Sequence, residues 1–261
     1  MIKTTLITGA SSGIGKAFAE LCAQRGDKVI LVARNTQRLE QLAEQLQKKY
    51  NCHCQVLPCD LAKADAADTL FEQLKTDNLM PDVLINNAGM GVSGAFVAND
   101  FQKETNQLHL NVTTPTLLCH RIGKIMAEKS AGEILNVASV AAYQSGPFMA
   151  GYYASKSHVL SLSVALHHEL KKSGVTVTAL CPGPVQTEFF ERSEITSVRL
   201  SQSPLMMQPA QVAKIGMAAL SNKKSHVIAG KINWVLAQSI RLATRNMAAR
   251  ISGLINQGVK A

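Results

Sequence analysis

Tyr152 and Lys156 lie four residues apart in Tyr152-Tyr153-Ala154-Ser155-Lys156, so on a helix they share one face. A phenol ordinarily ionises near about pH 10. A nearby ammonium favours the phenolate. The pair therefore reads as a general acid/base able to exchange a proton near neutral pH.

A second group with chemical meaning is Thr8-Gly9-Ala10-Ser11-Ser12-Gly13-Ile14-Gly15. A strand-like run precedes it and a helical pattern follows. Glycines at such a turn let the backbone approach a pyrophosphate, whose charge then rests on a helix N-terminus. The flanks make dinucleotide binding the expectation; the alternative is a tight turn without a ligand. The second strand ends in Val32-Ala33-Arg34-Asn35. A site for NAD places a carboxylate there, and this chain has Ala33 followed by Arg34, with Arg38 a helical turn on. Guanidinium groups suit a 2′-phosphate, so NADP(H) is the expected cofactor; its oxidised nicotinamide, like the Lys156 ammonium, would favour the Tyr152 phenolate.

The G-x-x-x-G-x-G spacing, Asn86-Asn87-Ala88-Gly89, Tyr152-x-x-x-Lys156 and Pro182-Gly183 occur in that order. Together they resemble the short-chain dehydrogenases/reductases over roughly residues 4–230. The resemblance selects Tyr152 rather than Tyr153 as the acid/base. It gives Lys156 a second role on the nicotinamide ribose, Ser139 the substrate oxygen, and Asn111 the support of a water-linked proton relay from an interrupted helix. It implies that Gly9, Ser11, Ser12, Gly13, Ile14 and Gly15 form the phosphate loop and that Arg34 faces the 2′-phosphate. Asp60 would bond the adenine amine. Asn87, Ala88 and Gly89 would line the cofactor cleft, together with Pro182, Gly183 and Val185, and Thr187 would meet the carboxamide. The implied reaction is hydride transfer between a nicotinamide and a carbonyl or secondary alcohol. A catalytically vestigial NADP(H)-binding sensor or scaffold is the alternative. An extended-branch sugar epimerase or dehydratase fits the glycine spacing poorly. The C-terminal tail and the Val32–Asn35 turn are similar to a branch with bacterial uncharacterised reductases and lipid-acting 17β-hydroxysteroid and 3-oxoacyl reductases.

These residues need a scaffold, and the rest of the sequence describes one. Strands are predicted at Thr4–Thr8, Lys28–Ala33, Gln55–Cys59, Val83–Asn86, Ile134–Ala138, Thr176–Cys181 and Val227–Ala229. Several are continuous apolar runs, as expected for a parallel sheet covered on both faces. Helical periodicity fills the intervals, as in Leu39, Leu42, Ala43 and Leu46. The prediction is an α/β, Rossmann-type doubly wound parallel sheet of about seven strands with helices on both faces. Residues 1–261 are expected to form a single dinucleotide-binding and catalytic domain. With 46% hydrophobic and 17% charged residues, the composition fills a core and excludes disorder, collagen-like repeats and a disulfide scaffold.

Six cysteines, Cys22, Cys52, Cys54, Cys59, Cys119 and Cys181, form no C-x-x-C pair and are expected to be reduced thiols. No metal site is expected; His109, His120, His158, His167 and His168 read as packing or surface residues. There is no apolar run of 18 residues to span a membrane, and Met1–Thr8 lacks the pattern of a signal peptide. A cytoplasmic location is expected, with a peripheral membrane contact considered below. No nucleic-acid motif accompanies the charge.

Substrate specificity is expected in variable loops at the strand ends: Met90-Gly91-Val92, Gln144–Met149 and a lid at about 188–208. The lid carries Phe189, Phe190, Leu200, Leu205, Met206 and Met207, which points to a hydrophobic or bulky substrate. The net charge of +9 resides entirely in residues 195–261, which hold 9 Lys+Arg and no Asp or Glu. Within about 231–257, Ile232, Leu236, Ile240, Ala243, Met247, Ile251 and Leu254 recur at helical spacing beside Lys231, Arg241, Arg245 and Arg250. This basic amphipathic segment reads as a helix packed on its own domain or on another copy in a homo-oligomer (dimer or tetramer), as a membrane-surface element, or as a site for an acidic carrier or acyl-CoA.

Overall fold

The computed structural model of the chain describes residues 2–193 and 206–257. Seven strands form one sheet: β1 Thr4–Thr8, β2 Lys28–Ala33, β3 Cys54–Pro58, β4 Val83–Asn86, β5 Gly132–Val137, β6 Val175–Pro182 and β7 His226–Ala229. Their order is β3-β2-β1-β4-β5-β6-β7, and every pairing is parallel. The expected strands differ only at their ends. β3 lies one residue earlier, and β5 and β6 begin before the apolar run, because Gly132 and Glu133 pair with Val175 and Thr176.

The connecting elements are α1 Gly13–Gln24, α2 Thr36–Tyr50, α3 Ala66–Thr76, α4 Phe101–Leu108, a π-helical turn His109–Thr113, α5 Thr114–Glu128 and α6 Ala150–Leu170. Then follow α7 Phe189–Arg192, α8 Pro209–Ser221, α9 Lys231–Ser239 and α10 Arg245–Asn256. Successive side chains of a strand point to opposite faces. Ile7 and Leu31 thus pack with Phe18 of α1, Leu39 of α2 and Val212 of α8. Leu6, Ile30 and Leu84 pack on the other side with Leu70 of α3 and Leu118 and Ile122 of α5. Burying a side chain of this size contributes roughly 1.5–3 kcal/mol. Both faces are therefore dry, which explains why the strands read as unbroken apolar runs.

Local signals set the helix ends. Asn35 Oδ1 accepts from the Arg38 backbone N–H at 2.9 Å and starts α2. Lys48 and Lys49 stand in its last turn, where cations suit the helix dipole. Asn51 then turns the chain out with φ 51°. The strand order reverses beside β1. Chains leaving β1 and β4 part in opposite directions there and open a crevice at the carboxyl ends of the strands.

The C-terminal segment departs from the expected single amphipathic helix. It divides into α9, a 3-10 turn at Ile240–Leu242, and α10, which Thr244 caps by accepting from the Met247 N–H at 3.3 Å. Its periodic residues Ile232, Leu236, Met247, Ile251 and Leu254 are exposed. The buried face is instead Asn233, Ala237, Ala248, Ser252, Gly253 and Asn256. The segment thus packs on its own domain, through this small and polar face and not through the apolar stripe. Among the described residues no helix is long and apolar enough to cross a membrane. Of the lid, Leu200 and Leu205 lie outside the described residues.

Candidate active site

The phosphate loop leaves β1 at Thr8 and enters α1 at Gly13. Gly9 and Gly13 have φ of +67° and +55°, which side-chain-bearing residues adopt only under strain. Gly15 is required for another reason: a Cβ there would collide with the Gly9 carbonyl and the Asn87 amide. Ser12 stands before α1 without capping it through its side chain, and the first turn holds no acidic residue. The N-terminal N–H groups of α1 thus present partial positive charge that no carboxylate offsets. Ser11, Ser12 and Ile14 are half-buried along the loop.

Asn87 does more than line this cleft. Its Nδ2 donates to the carbonyls of Thr8 at 2.9 Å and Gly9 at 3.3 Å. In return, Thr8 Oγ1 accepts from the N–H groups of Asn87 at 2.9 Å and Ala88 at 3.0 Å. The end of β4 therefore fixes the shape of the loop after β1. Deeper in, Asn86 Nδ2 donates to Asn136 Oδ1 and Asn136 Nδ2 donates to Ser163 Oγ, both at 2.9 Å, tying β4, β5 and α6 together below the site.

At the end of β2, Ala33 is buried and Arg34 is exposed. Arg38 is paired with the Glu188 carboxylate, at 2.8 Å from Nη1 to Oε2, across the mouth of the cleft. Asp60 is half-buried after β3, with Oδ1 accepting from the Ala62 N–H at 3.3 Å. On the far side, Pro182 ends β6, and a Cβ at Gly183 would strike Asn233 of α9. Val185 is buried and bridges to Met207. Thr187 Oγ1 accepts from the Phe189 N–H at 3.3 Å and so helps start α7.

Ser139, Tyr152, Lys156 and Asn111 come together at the carboxyl ends of β4 and β5. Ser139 is buried at the start of a 3-10 turn, its Oγ accepting from the Ala141 N–H at 3.1 Å. The Ser139 hydroxyl also favours ionisation of the nearby Tyr152 phenol. Tyr152 and Lys156 share a face of α6, with Lys156 Nζ 5.8 Å from the Tyr152 ring centroid. That ammonium donates to the Val137 carbonyl at 2.9 Å. Asn111 sits in the π-helical turn, where its Nδ2 donates to Met90 O at 2.8 Å and Ser155 Oγ at 3.1 Å. Its Oδ1 accepts from the Met90 N–H at 3.0 Å. Gly89 faces both groups: a Cβ there would lie 3.3 Å from Asn111 Oδ1 and from Lys156 Nζ.

Without a dinucleotide, the site does not by itself bring the phenol toward neutrality. Burial pushes the Tyr152 phenol up to about 12, and the Ser139 hydroxyl only partly opposes it. Burial lowers Lys156 to about 8. In the chain by itself the ammonium is turned to Val137 and does not draw the phenol toward neutrality; desolvation wins.

Several supporting residues carry no sequence signal of their own. Ser193 is buried, and its Oγ accepts from the Gly91 N–H at 3.1 Å. Gln107, fully buried, accepts from the Val92 N–H at 2.7 Å through Oε1. The expected apolar wall exists in part: Met149, Phe189 and Phe190 pack with Ala141, Tyr152 and Tyr153. The Phe189 ring lies 5.5 Å from that of Tyr152. The six cysteines are free, and among the described residues no group of His, Cys, Asp and Glu could hold a metal ion. His167 instead bonds the Val177 carbonyl through Nδ1 at 2.8 Å.

A sheet of this order with a glycine loop and a Tyr–Lys helix at its crevice defines a nucleotide-binding oxidoreductase, and comparison with known proteins agrees. The short chain dehydrogenase family matches residues 3–197, and the chain belongs to that family. It is similar to an uncharacterised oxidoreductase of Staphylococcus saprophyticus, at 32% identity over 71% of this chain and 79% of the relative. A short-chain dehydrogenase from Sphingobium yanoikuyae in complex with NADPH superposes with a TM-score of 0.82 at 31% identity, over 92% of this chain and 94% of that one. The bulky-bulky ketone specific alcohol dehydrogenase from Comamonas testosteroni superposes with a TM-score of 0.78 at 31% identity, over 92% of each chain.

Proposed function

We propose that this short-chain dehydrogenase is an NADP(H)-dependent oxidoreductase acting on the carbonyl or secondary alcohol of a hydrophobic substrate. The observation that carries the reading is the junction at Gly89, where Asn111 and Lys156 converge beside the Ser139–Tyr152 pair.

The fit of a dinucleotide rests on the cradle itself. Gly9, Gly13 and Gly15 let the loop close against Asn87, Ala88 and Thr187, where a Cβ would collide, and the helix N-terminus behind it carries no acidic residue. Gly9, Ser11, Ser12, Gly13, Ile14 and Gly15 would hold the pyrophosphate, Arg34 the 2′-phosphate and Asp60 the adenine. Asn87, Ala88, Gly89, Pro182, Gly183, Val185 and Thr187 would flank the remainder, with Tyr152 and Lys156 at the ribose. The bound dinucleotide supplies or accepts the hydride. Ser139 Oγ orients the substrate oxygen. Tyr152 gives that oxygen a proton in the reducing direction and removes it in the other. The phenol is protonated at neutral pH, the form reduction requires. Lys156, anchored on Val137, provides the nearby positive charge. Asn111 fixes the Met90 backbone at the cleft edge and stands where a proton relay would leave the site.

The apolar wall of Met149, Phe189 and Phe190 supports a bulky ketone, as does the name of the Comamonas relative. The NADPH bound to the Sphingobium relative supports the cofactor. The chain is read as one domain that works as a homo-oligomer. The exposed apolar face of α9 and α10, with Lys231, Arg241, Arg245 and Arg250, supports a contact with another copy, a membrane surface or an acidic carrier.

The test follows NADPH and NADH oxidation across small diketones, aromatic ketones, steroids and 3-oxoacyl thioesters. The expected result is turnover with NADPH in preference to NADH, strongest on the bulky ketones. Tight NADPH binding with no turnover on the whole panel would contradict the reading and favour a sensor.

A further inference from the structure

The inner face of α10 is built unlike the rest of the fold. Met247, Ile251 and Leu254 face outward, whereas Ala248, Ser252, Gly253 and Asn256 are buried. A face of small and polar residues gains little from apolar burial, so its hydrogen bonds determine where the helix rests. Ser252 Oγ reaches the Ala248 and Ala249 carbonyls of its own helix, but the bonds that leave the helix go to one place. Ser252 Oγ donates to the Ser145 carbonyl. Asn256 Nδ2 donates to the Pro147 carbonyl at 2.9 Å. Asn256 Oδ1 accepts from the Tyr153 hydroxyl at 3.2 Å. Gly253 completes the fit, since a Cβ there would sit 3.3 Å from the Pro147 ring.

The segment that receives these bonds, Ser145–Met149, lies between Ser139 and Tyr152. It is held from the other side as well: the Gly94 N–H donates to the Phe148 carbonyl at 2.9 Å. Phe148 has a φ of +65°, a conformation that a bulky side chain keeps only when its surroundings enforce it. The next residue, Met149, is buried against Tyr152, Phe189 and Phe190. A shift of this segment therefore moves the wall beside the reacting phenol, while the phosphate loop lies on other strands.

We propose that Ser252, Gly253 and Asn256 are positioning residues: through Ser145, Pro147 and Tyr153, the C-terminal helix sets the width of the substrate pocket and hence the acceptance of bulky over small ketones. The specificity part of this proposal rests on the function given above; the structural part does not. Removing either side chain leaves a carbonyl of the segment without its partner.

The experiment compares wild type, Ser252→Ala, Asn256→Ala and the double variant, with Asn246→Ala, exposed on the same helix, as control. Amide exchange is measured by mass spectrometry, and kinetics on a small diketone and a bulky aromatic ketone, with NADPH affinity measured separately. The double variant is expected to exchange about tenfold faster across residues 145–149 at unchanged rates in β1 and β4. It is expected to raise KM for the bulky ketone on the order of tenfold, with KM for the diketone and NADPH affinity within about twofold. The single variants should fall between, and the control should match wild type. Unchanged exchange at 145–149 would overturn the positioning role even if the chain reduces no ketone. Faster exchange with equal losses on both ketones would overturn the specificity role. Should the double variant fail to fold, Ser252→Ala alone decides by the same two readouts.

Discussion

The cofactor side and the substrate side of the cleft are held by different means. Around the phosphate loop, backbone and small groups interlock: Gly9 and Gly15 pack against Asn87 and Ala88, which hydrogen-bond back to Thr8, and Gly13 packs against Thr187. All of this sits on the ends of two neighbouring buried strands. The substrate side is assembled from segments distant in the chain, namely Ser145–Met149, α7 and α10, joined by side-chain hydrogen bonds such as Tyr153–Asn256. A cradle for an invariant ligand tolerates almost no change. A wall held by a few side chains can be re-spaced without disturbing that cradle.

The largest effect should come from the rigid side. Gly15→Val places side-chain carbon on the Gly9 carbonyl, which cannot yield without losing the turn. Overpacking costs about 1–3 kcal/mol even where neighbours can move. NADPH affinity, followed by titration, should therefore drop about 100-fold or more, together with a lower melting temperature. Retained affinity would break the contrast between the two sides.

An intermediate effect concerns Lys156, which stands where the two sides meet. Its ammonium is buried, which lowers its pKa from 10.5 to about 8. The charged form is thus complete below that pH and is lost as pH rises through it. The value of kcat/KM for the ketone, which reports the enzyme before that ketone binds, should decline about tenfold per pH unit above about 8. Lys156→Arg keeps its charge and should lack this limb, at a lower overall rate. A wild-type profile flat to about pH 10 would contradict the assignment. The smallest effect in the series is the re-spacing of the wall by the Ser252 and Asn256 variants, confined to bulky ketones.

The same contrast explains what the sequence makes legible. The strands and the phosphate loop are read from local patterns, because a parallel sheet covered on both faces imposes continuous apolar runs, and a tight turn imposes glycine. Tyr152 and Lys156 are read from their spacing on α6, whereas Ser139 comes from the family resemblance. The C-terminal stripe of Ile232, Leu236, Met247, Ile251 and Leu254 is periodic, but periodicity does not say which face is buried; here Ser252, Gly253 and Asn256 take the inner side. The Tyr153–Asn256 bond joins residues 103 apart and leaves no local trace. The packing of Phe189 on Tyr152 and the turn of Lys156 to Val137 likewise leave no local trace.

The central claim is that Tyr152 carries the proton of a ketone reduction. Its most direct test is single-turnover oxidation of bound NADPH by a bulky aromatic ketone, wild type against Tyr152→Phe, with NADPH affinity measured in parallel. Phenylalanine keeps the ring packed against Phe189 and removes only the hydroxyl. The account predicts a rate lower by roughly 100-fold to 10,000-fold, the usual contribution of a positioned acid, with NADPH affinity within about threefold of wild type. A Tyr152→Phe variant that reduces the ketone at the wild-type rate would contradict it.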